Sequence, residues 1–231
     1  MTYSGLILAL IVYAAYAALF FRLLWRILFL LKASNLLNTG HGRPARASVS
    51  ADVKSLSDII FLTRLLKVNE WLWLGEWLFH ITFLMVMIRH LRYFIEPVPE
   101  WIMDFQTAGI CASYVFLLAL VYIMAFKLFI EKKKYMSSYN FFLLTLLFLI
   151  AVSGFLMKNF IRADIVNVKA FMTGVFSFKV LEPPASLLFS IHLIASLIFL
   201  IVLPAHIFAA PLTMIDARRR DERLEGVLHE D

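Results

Sequence analysis

Five long apolar stretches, separated by polar segments, dominate the pattern of the chain. Two of them, GLILALIVYAAYAALFF (residues 5–21) and NFFLLTLLFLIAVSGFLM (residues 140–157), contain no charged residue. About 20 apolar residues in a helix cross the roughly 30 Å hydrocarbon core of a bilayer. The pattern therefore predicts an all-α integral membrane protein, with residues 1–231 as one membrane domain built from a bundle of five transmembrane helices. The predicted spans are residues 4–31, 71–94, 107–130, 139–157 and 184–211.

Composition supports this class and excludes others. The chain is 62% hydrophobic and 16% charged, against about 45–50% and about 25% in soluble domains. The single cysteine, Cys111, excludes an intramolecular disulfide framework, an iron–sulfur cluster ligated by this chain alone and a c-type haem attachment site. The first apolar stretch has neither a basic segment before it nor a cleavage site after it, so it is expected to be a retained span.

The connections between the spans differ in charge. Basic residues are concentrated in residues 32–70, in EKKKY (131–135) and in DARRRDER (216–223). The connection between the second and third spans is acidic, with Glu96, Glu100 and Asp104. Since basic residues mark cytoplasmic connections, the N-terminus is predicted outside and the C-terminus in the cytoplasm. A net charge of +6 is thus explained by topology, and no nucleic-acid partner is expected.

The first connection, residues 32–70, carries one further element. Its stretch SLSDIIFLTRLLK (55–67) has apolar residues at spacings that share a helical face, although the pattern is imperfect. We predict an amphipathic helix on the cytoplasmic surface, which rests on lipid headgroups or receives a partner protein.

Four histidines lie within the predicted spans. His80 and His90 are on the second span, and His192 and His206 are on the fifth. The two spans run in opposite directions, so His80 is expected at the depth of His206, and His90 at the depth of His192. Ten residues turn a helix by about −80° and fourteen by about −40° after whole turns, so each helix presents both histidines on one broad face. His41 and His229, in polar segments, are given no role.

Two imidazoles at each depth suit a haem b iron, whose other four ligands are porphyrin nitrogens. A structural zinc ion needs four protein ligands. Intramembrane ionisable residues are rare and face the interior of a bundle, so four matched histidines favour two haem b sites over isolated core histidines. Arg89 and Arg92 flank His90 and either bind haem propionates or extend to the headgroups. Glu76 precedes His80 by one turn and either orients its imidazole or lies at the interface, and Pro204 can kink the fifth helix near His206.

These residues also carry a resemblance. LFHITFLMVMIRH (78–90) and FSIHLIASLIFLIVLPAHIFAAPL (189–212) resemble the second and last spans of the gamma subunit of respiratory nitrate reductase. The segment SLSDIIFLTRLLK is more similar to the cytochrome b subunits of the membrane complex linked to dissimilatory sulfite reduction and of membrane-bound heterodisulfide reductase. Two departures from the nitrate reductase subunit are a spacing between the last two histidines shorter by about one turn and a second connection without a basic residue.

The resemblance implies a di-haem cytochrome b. His80 and His206 would ligate the inner haem iron, and His90 and His192 the outer one. The implied function is an electron-transfer subunit of a quinone-linked oxidoreductase, with terminal substrate chemistry elsewhere. It would exchange electrons between menaquinone and a cytoplasmic iron–sulfur subunit, beside further membrane or periplasmic subunits, in the cytoplasmic (inner) membrane of a prokaryote that respires anaerobically. Menaquinol is expected near the outer haem, with Glu96, Glu100 and Asp104 as candidate proton acceptors.

Three alternatives remain. A nitrate reductase gamma subunit would have the same haems and a different partner. A cytochrome b subunit of a hydrogenase or formate dehydrogenase would differ in span number and histidine positions. A membrane anchor or transporter subunit would use the histidines to relay protons and bind no haem.

Overall fold

The computed structural model describes residues 3–39, 56–131 and 137–206. All regular structure in these ranges is helical. The basic segment at residues 132–134, the basic tail, His41 and His229 were singled out in the sequence and lie outside these ranges. The helices are α1 (Tyr3–Thr39), α2 (residues 56–61), α3 (Thr63–Val68), α4 (Glu70–His90), α5 (Glu100–Asp104), α6 (Gln106–Ala125), α7 (Ser138–Asn159), α8 (Ile165–Phe176) and α9 (Leu187–His206).

Five of the described helices are long and apolar enough to cross a bilayer, which confirms the predicted number of spans. The spans are Gly5–Phe29 in α1, Glu70–Tyr93 in α4 with its 3₁₀ extension, Gln106–Ile130 in α6 with its π-helical extension, Ser138–Asn159 in α7, and Leu187–His206 in α9. The last begins three residues later than predicted. Pro183 and Pro184 precede it, and proline cannot supply backbone N–H groups to a helix.

The chain forms two compact units. The first comprises Met1–Tyr16 and Trp71–Phe199, and the second comprises Ala17–Glu70 and Leu200–Asp231. The largest fully buried side chains of the first unit come from four different helices and include Val12, Ile102, Leu120, Ile123 and Phe171. Most remaining apolar side chains on the spans are exposed, which is expected of surfaces that face lipid.

An aromatic stack occupies the middle of the first unit. Phe79 and Phe83 on α4 lie with ring centres 5.4 and 5.9 Å from Phe116 on α6, and Phe83 lies 5.8 Å from Phe199 on α9. Aromatic pairs at such distances add stability beyond the area they bury. The stack holds three spans together between the positions of His80 and His90 on α4.

Serine and threonine hydroxyls in the spans mostly bond to their own helix. Thr82 Oγ1 donates to the Leu78 carbonyl oxygen at 2.6 Å, and Thr145 Oγ1 donates to Phe141 at 2.8 Å. Ser196 Oγ donates to the backbone carbonyl oxygen of His192 at 2.7 Å. Such hydroxyls are satisfied locally and contribute little to contacts between helices.

The predicted amphipathic helix of the first connection is not continuous. Residues 56–61 and Thr63–Val68 are helical, but Leu62 between them has φ 50° and ψ 39°. That left-handed conformation costs a residue with a side chain roughly 1–2 kcal/mol. The break coincides with a polar cluster within the second unit, in which Asp58 accepts a hydrogen bond from Thr63 and lies 3.7 Å from Arg64. The sequence pattern did not reveal this cluster, because Asp58 and Thr63 would lie about 140° apart on a continuous helix.

The connection between α7 and α9 is built around α8. Asp164 caps α8 by accepting from the backbone N–H of Val166 at 2.9 Å. The Tyr13 hydroxyl of α1 donates to the Val175 carbonyl oxygen at 2.8 Å, and the Tyr13 ring stacks on Phe178. These contacts hold the start of the first span against the end of α8.

Candidate functional site

The structure brings two of the four predicted histidine ligands together. His90, at the end of α4, and His192, in α9, both belong to the first unit. Their ring centres lie 6.3 Å apart, with the ring planes inclined by only 15°. Both residues are half-buried. The pairing predicted from helix direction is therefore present for these two residues.

The distance between the two ring centres is compatible with the distance expected when two imidazoles bind one metal ion. A metal–imidazole nitrogen bond is about 2 Å, and the ring centre lies roughly 1 Å beyond the nitrogen. Two rings on opposite sides of one ion therefore have centres about 6 Å apart. Packed rings elsewhere in the first unit, such as Phe171 and Phe189, also have centres 6.3 Å apart, so the distance is compatible with ligation and does not by itself require a metal.

Hydrogen bonds orient both rings for ligation through Nε2. His90 Nδ1–H donates to the Val86 carbonyl oxygen at 2.7 Å. His192 Nδ1 lies 2.9 Å from Ser153 Oγ and 3.1 Å from the Ile150 carbonyl oxygen. Ser153 Oγ itself donates to that carbonyl at 3.0 Å, so it accepts the proton of His192 Nδ1. With Nδ1 protonated in both rings, the lone pair of each Nε2 is available to a metal.

Gly154 lets the His192 ring approach α7. A Cβ atom at this position would lie 3.2 Å from His192 Cε1. Ser153 and Gly154 together form the surface of α7 against which the imidazole lies. Sequence reasoning missed both residues, although a small polar pair inside a charge-free apolar span was a usable signal.

Two cationic side chains lie on the helices that carry this site, Arg89 on α4 and Lys158 on α7. Arg89 precedes His90, and its aliphatic part lies over Gly109 of α6, where an added Cβ would be 2.7 Å from Arg89 Cδ. Lys158 follows Gly154 by four residues, which places it on the same face of α7 one turn further along. Its Nζ lies 4.3 Å from the centre of the Tyr114 ring. Within the described part of the chain, the buried Arg89 Nε and Lys158 Nζ atoms have no hydrogen-bond partner.

The other predicted basic residue is already engaged. Arg92 Nη1 lies 3.4 Å from Gln106 Oε1, and its guanidinium carbon lies 5.0 Å from the centre of the Tyr93 ring. Of the two arginines proposed for an anionic group, Arg89 is therefore the better placed. Lys158, which sequence reasoning did not single out, is the second cation.

The second histidine pair is divided between the two units. His80 lies in the first unit, is exposed, and its Nδ1–H donates to the Glu76 carbonyl oxygen at 2.6 Å. His206 ends α9 in the second unit and is also exposed. Pro204, two residues earlier, is fully buried, and α9 remains helical through it. The joint ligation by His80 and His206 stays a prediction.

The two roles considered for Glu76 are now separated. Its backbone carbonyl orients His80, while its carboxylate lies 3.0 Å from Lys127 Nζ at the end of α6. The side chain thus ties α4 to α6. The acidic residues of the next connection, Glu96, Glu100 and Asp104, are exposed. Glu96 lies 3.4 Å from Lys169 Nζ of α8.

A haem needs only two ligands from the protein, and the His90–His192 pair offers two. In the described ranges, no group of three or more His, Cys, Asp or Glu side chains converges on a point that could hold a metal ion. The nearly parallel His90 and His192 rings, the hydrogen bonds of their Nδ1 atoms, the glycine at 154 and the two cations are compatible with a haem b.

Comparison with known proteins gives two relatives. The chain is 30% identical over 125 residues to the "Hdr-like menaquinol oxidoreductase cytochrome b-like subunit" of Archaeoglobus fulgidus, covering 49% of this chain and 38% of the relative. It is 30% identical over 136 residues to the protein of the same name from Archaeoglobus profundus, covering 54% and 40%. The chain thus spans about two fifths of the length of these curated relatives. No protein-family model and no solved structure matches it.

The names of the relatives support the coarser part of the resemblance. Both relatives are named as cytochrome b-like subunits of an Hdr-like menaquinol oxidoreductase. The similarity to cytochromes b of this kind, inferred from SLSDIIFLTRLLK and the histidine segments, is supported. The five spans agree with a multi-pass membrane protein.

Proposed function

We propose that this chain is the di-haem b subunit of a menaquinol-linked membrane oxidoreductase, and that it transfers electrons across the bilayer to or from a cytoplasmic iron–sulfur partner. The observation that carries the proposal is the His90–His192 pair, whose ring centres lie 6.3 Å apart with nearly parallel planes. The names of the two relatives favour a heterodisulfide-reductase-type partner over a nitrate reductase. His80 and His206 would hold the second haem.

The residues of the His90–His192 site each have a defined task. His90 and His192 would each supply one ring nitrogen to the haem iron, and a haem bound there would provide a one-electron redox centre. Ser153 accepts the proton of His192 Nδ1 and so keeps the ring oriented and electron-rich. Arg89 and Lys158 would bind the two propionates, which satisfies nitrogens that lack partners among the described residues. The apolar spans around the pair exclude water and lower the local dielectric.

The charges of the connections indicate which side of the helix bundle faces the cytoplasm. The connections rich in lysine and arginine favour a cytoplasmic side that carries residues 32–70, 131–138 and the C-terminal tail. In this orientation His90 and His192 lie near the outer surface, and His80 and His206 near the cytoplasm. The iron–sulfur partner would dock on the cytoplasmic connections, and Glu96, Glu100 or Asp104 would take up protons on the outer side.

Absorption spectra of ligand variants test this proposal. The purified chain is expected to show a reduced b-type band and two haems per chain by pyridine haemochrome analysis. His90→Ala or His192→Ala should lose one haem, and His80→Ala or His206→Ala the other. His41→Ala, in the polar first connection, is the control and should retain both.

Two outcomes would contradict the proposal. A chain without a b-type band would be a membrane anchor or a proton-relay subunit. Loss of the same haem from His90→Ala and from His206→Ala would show that the histidines pair differently.

A further inference from the structure

The first unit contains a recess that lies away from the imidazole rings. It is a groove of about 560 Å³ between the start of α1 and the turn that leads into α9. Ile7, Leu8 and Ile11 form one wall, and Leu187 and Ile194 of α9 form the other. We propose that this groove is the quinol-binding site, an inference that rests on the proposed function.

The groove has the size and polarity of a small-molecule site. Ligand pockets usually enclose about 300–1,000 Å³ and are mainly apolar, with a few polar groups that fix orientation. Here the apolar walls suit a fused aromatic headgroup and the first units of a prenyl tail. Polar groups are confined to the residues around the turn, with Glu182, Ser186 and Ser190 among the lining residues. A lipid acyl chain has no hydrogen-bonding groups and would form no hydrogen bonds with these polar residues.

Ser186 is placed to recognise a quinol oxygen. Its Oγ accepts the backbone N–H of Phe189 at 3.3 Å, as a residue that caps a helix does. The hydroxyl proton therefore remains available to an oxygen atom of the ligand. Ser190 Oγ donates to the Ser186 carbonyl oxygen of its own helix at 3.3 Å, so it would donate to a ligand only by giving up this bond.

The groove lies directly behind a predicted haem ligand. Ser190 and Ile194 line it, and each is two residues from His192 on α9. Two residues turn a helix by about 200°, so His192 projects from the opposite side, separated by about the 10 Å width of one helix. A quinol in the groove would be close to the redox centre without contacting the imidazole.

The chemistry balances at this location. Oxidation of one quinol to quinone releases two electrons and two protons. The electrons would reduce two ferric irons to ferrous in successive one-electron steps. Glu182, which is exposed at the polar end, would accept one proton in place of Glu96, Glu100 and Asp104, which do not line the groove, and pass it to water; the second proton would leave by the same route. The groove and the acidic second connection both lie on the side that topology predicts to be outer.

Two neighbouring residues of α1 allow a matched test. Ile11 lines the groove, while Leu10 beside it is 57% exposed and does not. Ile11→Trp should fill the groove, and Leu10→Trp should add the same bulk to a surface that faces lipid. Photolabelling of the membrane-embedded chain with an azidoquinone should modify the segments around Ile11 and around Ser186–Ile194, and excess menaquinol should suppress the labelling.

Labelling should fall at least tenfold in Ile11→Trp and remain at the wild-type level in Leu10→Trp. The menaquinol concentration for half-maximal haem reduction should rise at least tenfold in the first variant alone. Labelling elsewhere, labelling that menaquinol does not suppress, or equal behaviour of the two variants would overturn the inference. Haem content is measured separately, so a chain with two haems and a label at another position would retain the proposed function and lose only this site.

Discussion

At the scale of single residues, the proximity of His90 and His192 was predictable from the sequence, and the residues that surround them were not. Histidines are rare inside apolar spans, so His90 and His192 were recognisable from the sequence alone, and counting the spans paired them. Ser153, Gly154 and Lys158 lie on a different span from both histidines. The rotation of one helix against another decides which residues of α7 face His192, and the sequence does not specify that rotation.

The hydrogen bond from His192 to Ser153 should tune the potential of the haem that we propose His192 ligates. In Ser153→Ala the imidazole loses a proton acceptor and donates less electron density, so the ferric form is stabilised less. The Ile150 carbonyl oxygen, at 3.1 Å, keeps part of the interaction. We expect the midpoint potential of this haem to rise by an amount equivalent to about 1 kcal/mol, or about 40 mV for one electron.

Redox titration monitored by absorbance would measure this shift. Thr145→Val is a suitable control, because Thr145 is exposed on the same helix and, among the described residues, its hydroxyl bonds only to the Phe141 carbonyl oxygen. A shift of both haems, or an equal shift in the control, would contradict the role assigned to Ser153.

At the scale of elements, hydrophobicity predicted where the spans lie. The residues at which helices begin or break depend on backbone hydrogen bonding, which hydrophobicity does not describe. The start of α9 at Leu187 follows from Pro183 and Pro184, which the apolar pattern ignores. The break at Leu62 depends on a polar cluster around Asp58 that only the folded chain brings together. Periodicity records which residues are apolar, and therefore does not detect a local hydrogen-bonding alternative to the helix.

The close approach of α7 and α9 should be sensitive to side-chain size at Gly154. A Cβ atom there would be 3.2 Å from His192 Cε1, so alanine requires a small shift of the ring and leucine a large one. We expect Gly154→Ala to keep two haems per chain and Gly154→Leu to lose the haem bound by His90 and His192.

Haem content per chain would measure this effect. Leu149→Phe is the control, because Leu149 is 46% exposed on the same helix and the added bulk would face away from the core. Two haems in Gly154→Leu would show that the approach of the ring to α7 is not required for ligation.

At the scale of the whole molecule, charge distribution gives a prediction of orientation. The second connection is acidic and the third contains three consecutive lysines, so the two should lie on opposite sides of the membrane. In a Cys111→Ser background, Glu100→Cys should react with a membrane-impermeant thiol reagent in intact cells. Ser137→Cys should react only after the membrane is opened.

Both substituted positions are exposed, so a lack of labelling would not result from burial. Labelling of Ser137→Cys alone in intact cells would reverse the topology and exchange the outer and inner haem assignments. The parent Cys111→Ser chain should remain unlabelled under both conditions.

The hydroxyl groups of Thr82, Thr145 and Ser196, each bonded to its own helix, have a consequence for biogenesis. In lipid, helices associate through packing and hydrogen bonds between them, because apolar side chains gain little by leaving the acyl chains. A haem bound by histidines of two helices would therefore stabilise the association of α4 with α9. By mass action, it would shift the equilibrium from separate helices towards the assembled bundle. Cellular haem supply would set how much newly inserted chain escapes membrane proteolysis, so the abundance of the complex would follow porphyrin synthesis.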